Sequence, residues 1–196
     1  DEIPERIMLN PGDTAVLVLP VWHVFEREVE YVILIQAATL CYSKPIGSIL
    51  LADITKVNPA ILPAVPRVFE AVYDGIQRKM RKTGGIIYAM FNFFVKVAII
   101  HSRMHRKMFN LDVCFTRYYT AAWWIAFLIP WILLWPLKLL GNIIAFKKIR
   151  AMLGTNFRAG VAGGGAYPRY LDEFFWAIGV KIVEGYGLTE TAPIIS

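Results

Sequence analysis

The segment Tyr186-Gly187-Leu188-Thr189-Glu190 combines the residue types best suited to chemistry in this chain. It brings an aromatic ring, a flexible backbone, a hydroxyl and a carboxylate close together. A ring can stack on a nucleotide base, a hydroxyl can donate to a phosphate, and a carboxylate can bind a cation. The alternative is a tight glycine-rich turn in which Thr189 and Glu190 cap the next helix. These residues alone leave both interpretations open.

A short apolar run precedes this segment and predicts the element that positions it. Val180 to Val183 is typical of a short buried strand, so the segment would follow the strand's carboxyl end, where open α/β sheets bind ligands. A second glycine-rich stretch, Gly163–Ala166, lies between a predicted strand at Arg158–Ala162 and a predicted helix at Pro168–Ile178. Such a unit can direct backbone N–H groups at a ligand. Alternatively, its glycines only permit close packing of the strand against the helix.

The first third of the chain shows the same alternation of apolar runs and amphipathic stretches. It predicts strands at Asp13–Pro20 and Ala60–Val65, an apolar run at Ile46–Leu51, and helices at Glu26–Tyr42, Asp53–Val57 and Pro66–Arg81. Strands that alternate with helices of this length predict an α/β fold with a mainly parallel sheet and flanking helices.

Four motifs follow one another along the chain. Leu-Pro-Val-Trp-His-Val-Phe-Glu-Arg at 19–27 and Val-Pro-Arg-Val-Phe-Glu at 65–70 precede the glycine-rich segments at 163–166 and 186–190. Together they resemble the acyl-adenylate-forming (AMP-binding) synthetase family, and most closely its long-chain fatty acyl-CoA ligases. The resemblance covers residues 1 to about 110 and 150 to 196. It implies an internal fragment of the large N-terminal domain of such an enzyme.

The resemblance implies a ligase reaction in two steps. A fatty carboxylate attacks the α-phosphorus of ATP, which gives an acyl-adenylate and pyrophosphate. Coenzyme A then displaces AMP and forms a thioester. Because the first step brings two anions together, it needs cations and oriented donors. The implied substrate is a fatty acid, and the implied cofactors and co-substrates are ATP, Mg²⁺ and coenzyme A.

The resemblance also implies roles for the residues of the last motif. Glu190 would ligate magnesium, and Thr189 would donate its hydroxyl to a phosphate oxygen; both would be catalytic residues. Tyr186 would stack on adenine. Gly187 would leave the nucleotide unobstructed because it has no side chain.

Two further motifs would complete the implied site. Gly164, Gly165 and Ala166 would form a wall between adenine and the acyl carbonyl, where a larger side chain would intrude. His23 would stand near the reacting carboxylate as a catalytic group that acts through its charge or by positioning. Considered alone, a histidine next to Trp22 is more typical of a satisfied, half-buried side chain.

Three parts of the family pattern have no counterpart in this sequence. They are the phosphate-binding loop, the ribose-binding Asp and the catalytic Lys of the small C-terminal domain. We expect the first upstream of Asp1 and the others downstream of Ser196. The chain alone would then be inactive.

The basic charge lies in one block, which is also the most hydrophobic part of the chain. The chain is 57% hydrophobic, with mean hydropathy +0.48 and net charge +6. Thirteen Lys or Arg and one acid, Asp112, lie between Gln77 and Arg150. A nucleic acid polymer would explain the charge but not the apolar runs, whereas a membrane surface with anionic lipid explains both. The two isolated cysteines indicate no metal site or disulfide framework and suit a reducing, cytoplasmic compartment.

The middle of the chain is predicted to be a basic, apolar helical insertion at residues 86–149. It would separate the first part of the adenylate-forming domain, residues 1–85, from its continuation at 150–196. A long helix is predicted at Ile86–Phe109, with a basic cluster at its end. His101 and His105 lie one turn apart within it, but no third metal ligand accompanies them.

An uncharged run, Tyr118–Leu137, is about as long as a membrane span. Pro130 and Pro136 would break or kink a helix there. We predict that the insertion lies in one leaflet at the cytoplasmic face of a membrane. A true span and a soluble helical hairpin packed on another part of the protein are the alternatives.

Two other functions stay open at this point. One is a small integral membrane protein or transporter piece, which has no reason to carry the ordered motifs. The other is an adenylating enzyme for a non-fatty carboxylate, which the segment at 19–27 and the apolar middle disfavour. No motif indicates a protein partner.

Overall fold

Five parallel strands form one sheet in the computed structural model, which describes residues 9–111, 121–187 and 190, without the side chains of 121–123. The strands are β1 (Thr14–Leu17), β2 (Thr39–Tyr42), β3 (Ile61–Ala64), β4 (Ala159–Ala162) and β5 (Lys181–Glu184). Their order across the sheet is β2-β1-β3-β4-β5. The last residues of β3, β4 and β5 are aligned, since Ala64 lies beside Ala162 and Ala162 beside Glu184.

Seven α-helices connect and cover the strands of the described chain. They are α1 (Val24–Ile35), α2 (Gly47–Val57), α3 (Pro66–Lys82), α4 (Gly85–Met108), α5 (Ala121–Gly141), α6 (Lys147–Met152) and α7 (Arg169–Ala177), and a π-helical segment, Asn142–Phe146, joins α5 to α6. Pro66 begins α3 at a position where no backbone N–H is needed. The last turn of α3 is basic, which suits the negative end of the helix dipole.

The sheet separates two hydrophobic clusters, so that successive residues of β1 enter different ones. Ala15 and Leu17 belong to the smaller cluster, with Phe25 and Ile33 of α1. Val16 belongs to the main cluster, which includes side chains of α2, α3, α4 and α7. Because both faces are covered, the inner strands β1, β3 and β4 are apolar apart from Thr14 rather than alternating, as expected for a parallel sheet.

Most of the predicted elements are confirmed. In the first third of the chain, two predictions were wrong, namely the end of the first helix and the break between residues 51 and 53. The helix predicted at Glu26–Tyr42 ends at Ile35, and its last residues form β2. Ala37, at φ +55°, turns the chain between them. Apolar residues continue at helical intervals through this turn, so the sequence pattern did not indicate that the helix ends there. The separate run and short helix predicted after it form one helix, α2, whose first residue is Gly47.

The predicted strand before the last motif exists, but it is not buried. It occupies Lys181–Glu184 at the edge of the sheet, and Val183 is 41% exposed. An edge strand has a neighbour on one side only, so its apolar residues are less covered than those of β3, which is buried throughout.

The long middle helix is confirmed as α4, and it packs on the core. Phe91, Phe94 and Ala98 on one of its faces belong to the main hydrophobic cluster. Arg103 forms a bidentate ion pair with Glu173 of α7, at 2.9 and 2.7 Å, and Arg106 pairs with Asp172. α4 is therefore anchored to the sheet layer by both apolar and ionic contacts.

The uncharged run also forms a helix, and the predicted break at its prolines is wrong. α5 continues through Pro130 and Pro136, and the helical path then extends through the π-helical segment into α6. A proline removes one backbone N–H and leaves the rest of the ladder intact. The packing of α5 against α4 supports the helix on either side. Gly141 marks their closest approach, because a Cβ there would lie 3.0 Å from Phe94.

Two stretches of helix are long and apolar enough to cross a membrane by length and composition, namely Gly85–Met108 and Trp124–Met152. Their environments differ. In the most apolar window, 39% of the first stretch is buried but only 6% of the second. The first therefore meets this criterion as a helix packed on the core, whereas the second is apolar and exposed.

Candidate functional site

The four predicted motif segments meet at one edge of the sheet. The segment at 19–27 follows β1, the segment at 65–70 follows β3, and the two glycine-rich segments follow β4 and β5. Because all the strands are parallel, their carboxyl ends lie at the same edge. β1 connects towards β2 on one side and β3 towards β4 on the other, so the strand order reverses between β1 and β3. Open α/β sheets bind ligands at such a point.

His23 lies at this edge and caps the first helix. Its side chain is exposed, and its Nδ1 accepts a hydrogen bond of 3.3 Å from the backbone N–H of Phe25. The alternative prediction of a satisfied, half-buried histidine is therefore wrong about burial, because the side chain is exposed. It is correct that the ring has a hydrogen-bond partner. In a neutral ring whose Nδ1 accepts, Nε2 carries the proton and can donate to an anion.

Glu26 is a feature of this loop to which the sequence assigned no role. It is fully buried, and its Oε1 accepts a hydrogen bond of 3.2 Å from the backbone N–H of Leu19. The pKa of Glu26 is raised to about 7, chiefly by burial; the hydrogen bond from Leu19 lowers it in part, and the nearby Glu30 contributes a smaller increase. Its spacing from the cap, His23-x-x-Glu26, is that of a capping box, which was the signal available in the sequence.

The structure gives a different answer at each of the three positions after β4 to the question of why a glycine is present. A Cβ on Gly163 would lie 2.9 Å from the ring of Phe25, so this glycine permits close packing against α1. Gly164 has φ +76°, a conformation that other residues rarely adopt. A Cβ on Gly165 would meet only Pro66, at 3.8 Å, which is an ordinary contact. Within the described chain, packing and backbone geometry do not require a glycine at 165.

Tyr167 follows this turn and was also missed by the sequence analysis. Its ring lies edge-on to Phe69, with centroids 5.8 Å apart, and its hydroxyl is buried without a partner among the described residues. Burial raises the pKa of Tyr167, as do Asp172 and Glu184, so the phenol stays protonated. It is a neutral O–H group at the carboxyl edge.

The segment after β5 presents its aromatic side chain to solvent. The N–H of Gly185 donates to the carbonyl of Ala162 at 2.8 Å, which joins this segment to the glycine turn. Tyr186 is 63% exposed, so its ring face is available for stacking. Gly187 is half-buried and Glu190 is exposed. Thr189 lies outside the described residues.

One carboxylate at this edge is compatible with a magnesium ion that is held mainly by phosphates. The described residues contain no cluster of three or more His, Cys, Asp or Glu side chains that could hold a metal by themselves. Magnesium is usually bound through one or two carboxylates together with substrate phosphates and water. The exposed carboxylate of Glu190 fits that mode of binding.

Comparison with known families and proteins gives a consistent result. The model of the AMP-binding enzyme family matches residues 2–196. The chain is 34% identical to the probable acyl-activating enzyme 16, chloroplastic, of Arabidopsis thaliana, over 99% of this chain and 27% of that protein. It is 32% identical to the long-chain-fatty-acid–[acyl-carrier-protein] ligase AEE15, chloroplastic, of the same plant, over 98% of this chain and 27% of that protein.

More distant relatives and a solved structure share the same pattern. The identity to the long-chain-fatty-acid–CoA ligase FadD15 of Mycobacterium tuberculosis is 27%, over 94% of this chain and 27% of that protein. The crystal structure of the N-terminal domain of FACL13 from Mycobacterium tuberculosis covers 93% of this chain, at TM-score 0.50 and 15% identity, with 28% of that chain matched. This likeness confirms the predicted fold class. The chain spans about a quarter of the length of the curated relatives it matches.

Proposed function

The chain belongs to the AMP-binding enzyme family, and we propose that in the full-length protein it supplies nucleotide-binding loops of a ligase that joins a long-chain fatty acid to a thiol. One observation carries the proposal. The four family motifs, which are far apart in sequence, lie at the carboxyl edge of one parallel sheet, on adjacent strands at a reversal of strand order. The proposed co-substrates are ATP and coenzyme A.

For the adenylation step, these loops must bind a nucleotide next to the carboxylate substrate. Tyr186 offers an exposed ring for adenine, and Gly185 fixes the start of its loop to β4. Within the turn at 163–165, Gly165 is the glycine that neither close packing nor a positive φ explains. A nucleotide lying against the turn gives that explanation, with Gly164 and Ala166 completing the wall.

Charge stabilisation in this step falls to His23, Thr189 and Glu190. His23 has Nε2–H available as a donor, because its other nitrogen is engaged in capping α1. The Thr189 hydroxyl is proposed to donate to a phosphate oxygen. Magnesium, when bound, neutralises phosphate charge, and Glu190 is the side chain that we expect to hold it.

A second part of the proposal concerns an anionic membrane surface as the partner of residues 86–149. The face of α5 carries large exposed apolar side chains, among them Ile125, Ile129, Ile132, Leu133, Leu137 and Leu140. A helix that is apolar all round seeks a non-aqueous partner. Lys147 and Lys148 are exposed at its end, and the described residues of 85–152 include no acidic side chain. This charge complements anionic lipid.

Because of this exposed apolar face and basic charge, we propose that residues 86–149 are an insertion between the two parts of the adenylate-forming domain, 1–85 and 150–196. We propose that the exposed face of α5 lies in one leaflet rather than across the bilayer. Lys138 lies within the apolar stretch of α5, and a charged side chain is costly inside a bilayer. The cellular compartment stays a prediction, since two relatives are named as chloroplastic proteins.

The ligase proposal is tested with the full-length protein, ATP, Mg²⁺ and a series of carboxylic acids. We expect pyrophosphate release that depends on a long-chain fatty acid, followed by thioester formation with coenzyme A. Acyl carrier protein should be offered as a second acceptor, because one relative is named for it. Pyrophosphate release with amino or aryl acids but not fatty acids would reject the fatty acid and leave only the adenylating class. Absence of release with any acid would reject the proposal.

A further inference from the structure

A cavity of about 390 Å³ lies near the amino-terminal edge of the sheet, whereas the candidate nucleotide site lies at the carboxyl edge. It is open to solvent and is lined by α4, by the helical path from α5 to α6, and by the connection from α7 to β5. Ala177, Ile178 and Gly179 line it and lie just before β5, at the amino-terminal edge of the sheet. The nucleotide motifs lie after the strands, so the cavity belongs to a different surface.

The walls of the cavity contain buried polar atoms that lack partners within the described chain. His101 is only 3% exposed, lines the cavity, and has no hydrogen-bond partner on either ring nitrogen. The indole N–H of Trp131 is buried and unpartnered too. The ring of His101 stacks on Trp131, with centroids 5.2 Å apart, and His105 stacks on the same indole at 6.1 Å. Buried polar groups are normally satisfied, so these point to a ligand.

Two cations reach the same cavity without an acid to balance them. Lys138 is half-buried in its wall, and Arg150 is held in place by a hydrogen bond of 2.6 Å from Nη1 to the carbonyl of Ile178. That bond uses one of the five N–H donors of the guanidinium. None of the cavity-lining residues that the structure describes is acidic. Asp172 and Glu173, on the neighbouring face of α7, are paired with Arg106 and Arg103.

The surroundings indicate what kind of anion would enter. Trp135 and Leu139 line the cavity and are also 54% and 45% exposed on the apolar surface of α5. A ligand with an anionic head and apolar chains would satisfy both regions at once. The volume is within the range of small-molecule sites, about 300–1,000 Å³. It accommodates a head group rather than a whole lipid.

We propose that this cavity binds the phosphate head group of an anionic phospholipid, with Lys138 and Arg150 facing the phosphate and the acyl chains lying along α5. The inference rests on the proposed membrane contact and adds to it a specific site. It is independent of the ligase reaction, because no residue of the nucleotide edge lines the cavity. His101, Trp131 and Asn142 supply the remaining polar groups.

A matched pair of lysine variants tests the proposal in the full-length protein. Lys138→Gln removes a charge inside the cavity, and Lys147→Gln removes one from an exposed position that does not line it. Each is measured by co-sedimentation with phosphatidylcholine vesicles of equal negative charge, supplied either by phosphatidylglycerol or by cholesteryl hemisuccinate, a carboxylate lipid that is not a fatty acid. The quantity compared is the ratio of the two affinities, since loss of general charge attraction lowers both alike.

We expect the unmodified protein to prefer phosphatidylglycerol vesicles by about tenfold, as charge-assisted hydrogen bonds to a phosphate would give. Lys138→Gln should reduce that ratio to about one, whereas Lys147→Gln should retain it. Lys138→Arg keeps the charge and should retain it too, which separates binding from folding. Circular dichroism checks the fold of each variant.

Several results would overturn the head-group site. They are an equal affinity of the unmodified protein for both vesicles, a preference for the cholesteryl hemisuccinate vesicles, or an equal loss in the two glutamine variants. Displacement from vesicles by millimolar inorganic phosphate at constant ionic strength would assign the cavity to soluble phosphate instead. Failure to bind any vesicle would reject both this site and the membrane contact, while fatty-acid-dependent pyrophosphate release would remain as a separate test of the ligase.

Discussion

The carboxyl group of Glu26 accepts a hydrogen bond of 3.2 Å from the backbone N–H of Leu19, across a turn that contains His23. This contact closes the loop between β1 and α1. It fixes where the helix begins relative to the strand, and therefore where the exposed ring of His23 stands. A buried carboxyl is thus part of the support for a proposed catalytic residue, although it does not reach the ligand edge itself.

Glu26 should make stability depend on pH. Burial raises its pKa from 4.5 to about 7, so the folded state retains a proton that the unfolded state loses. The stabilisation is complete below pH 4.5 and is lost as pH rises through about 7. At about 1.4 kcal/mol per pKa unit, the loss of stability is at most about 3.5 kcal/mol. We expect the urea midpoint to fall between pH 5 and 8, and Glu26→Gln to remove that fall. An unchanged slope in the variant would contradict the assignment.

Gly165→Ala and Gly163→Ala should separate ligand binding from packing. A Cβ at 165 meets only Pro66 at an ordinary distance, so stability should change by less than about 0.5 kcal/mol. If the turn faces a nucleotide, KM for ATP should nevertheless rise by about tenfold, or 1.4 kcal/mol. A Cβ at 163 would enter the ring of Phe25, and the resulting overpacking should cost about 1–3 kcal/mol of stability. Thermal unfolding and steady-state kinetics measure the two effects. Normal ATP kinetics in Gly165→Ala would reject the wall.

His23→Asn should retain the helix cap and lose the proposed chemistry. Asparagine is among the best N-cap residues, whereas His23→Ala should cost about 1 kcal/mol by leaving the N–H of Phe25 unbonded. If the ring stabilises the reacting carboxylate, both variants should lower adenylation by about 10². Loss of activity in the alanine variant alone would show that His23 only caps α1.

Glu190→Ala should impair the step that depends on magnesium. Loss of a charged group at a phosphoryl centre is expected to reduce adenylate formation by about 10² or more. The readout is ATP–pyrophosphate exchange over a range of MgCl₂ concentrations, and Glu190→Asp serves as the control that keeps a carboxylate. Normal exchange in the alanine variant would rule out Glu190 as the ligand.

Removal of the exposed helix should release the full-length protein from membranes. Deleting Tyr118–Leu140, which spares the buried Phe146, should move it to the soluble fraction and leave adenylation of a short soluble acid largely intact. In the undeleted protein, vesicle binding should weaken with salt, because exposed charges are screened over about 8 Å at physiological ionic strength. A protein that stays in the supernatant at low salt contains a packed soluble helix. One that resists both high salt and alkaline extraction spans the bilayer, and the one-leaflet prediction is then wrong.

The sequence predicted the elements whose signals are local. β3 lies between Pro59 and Pro66, and the two glycine turns follow short apolar runs, so the carboxyl edge and its motifs could be predicted. β2 was missed because the residues around Ala37 continue a helical spacing through a turn with positive φ. α5 was misjudged because a proline's effect on a helix depends on the tertiary contacts that support it.

The buried groups of the site could not be predicted for a related reason. The roles of Gly163 and Glu26 depend on partners that are distant in sequence or out of helical register, namely Phe25 and Leu19. The cavity beside His101 likewise joins α4 to residues more than seventy positions later in the chain. Spacing along one element carries no information about such pairs.

The ion pairs from Arg103 and Arg106 to α7 couple two regions mechanically. α7 begins shortly after the glycine turn and ends just before β5, so it connects the first nucleotide loop to the strand that leads to the second. A protein engineer who excised residues 86–149 as a unit would remove both arginines and the ring of Phe91 from the core. Among the described side chains, α4 contributes Phe91, Phe94, Val95 and Ala98 to the main hydrophobic cluster and α5 contributes no buried side chain, so a deletion that preserves the core has to spare α4.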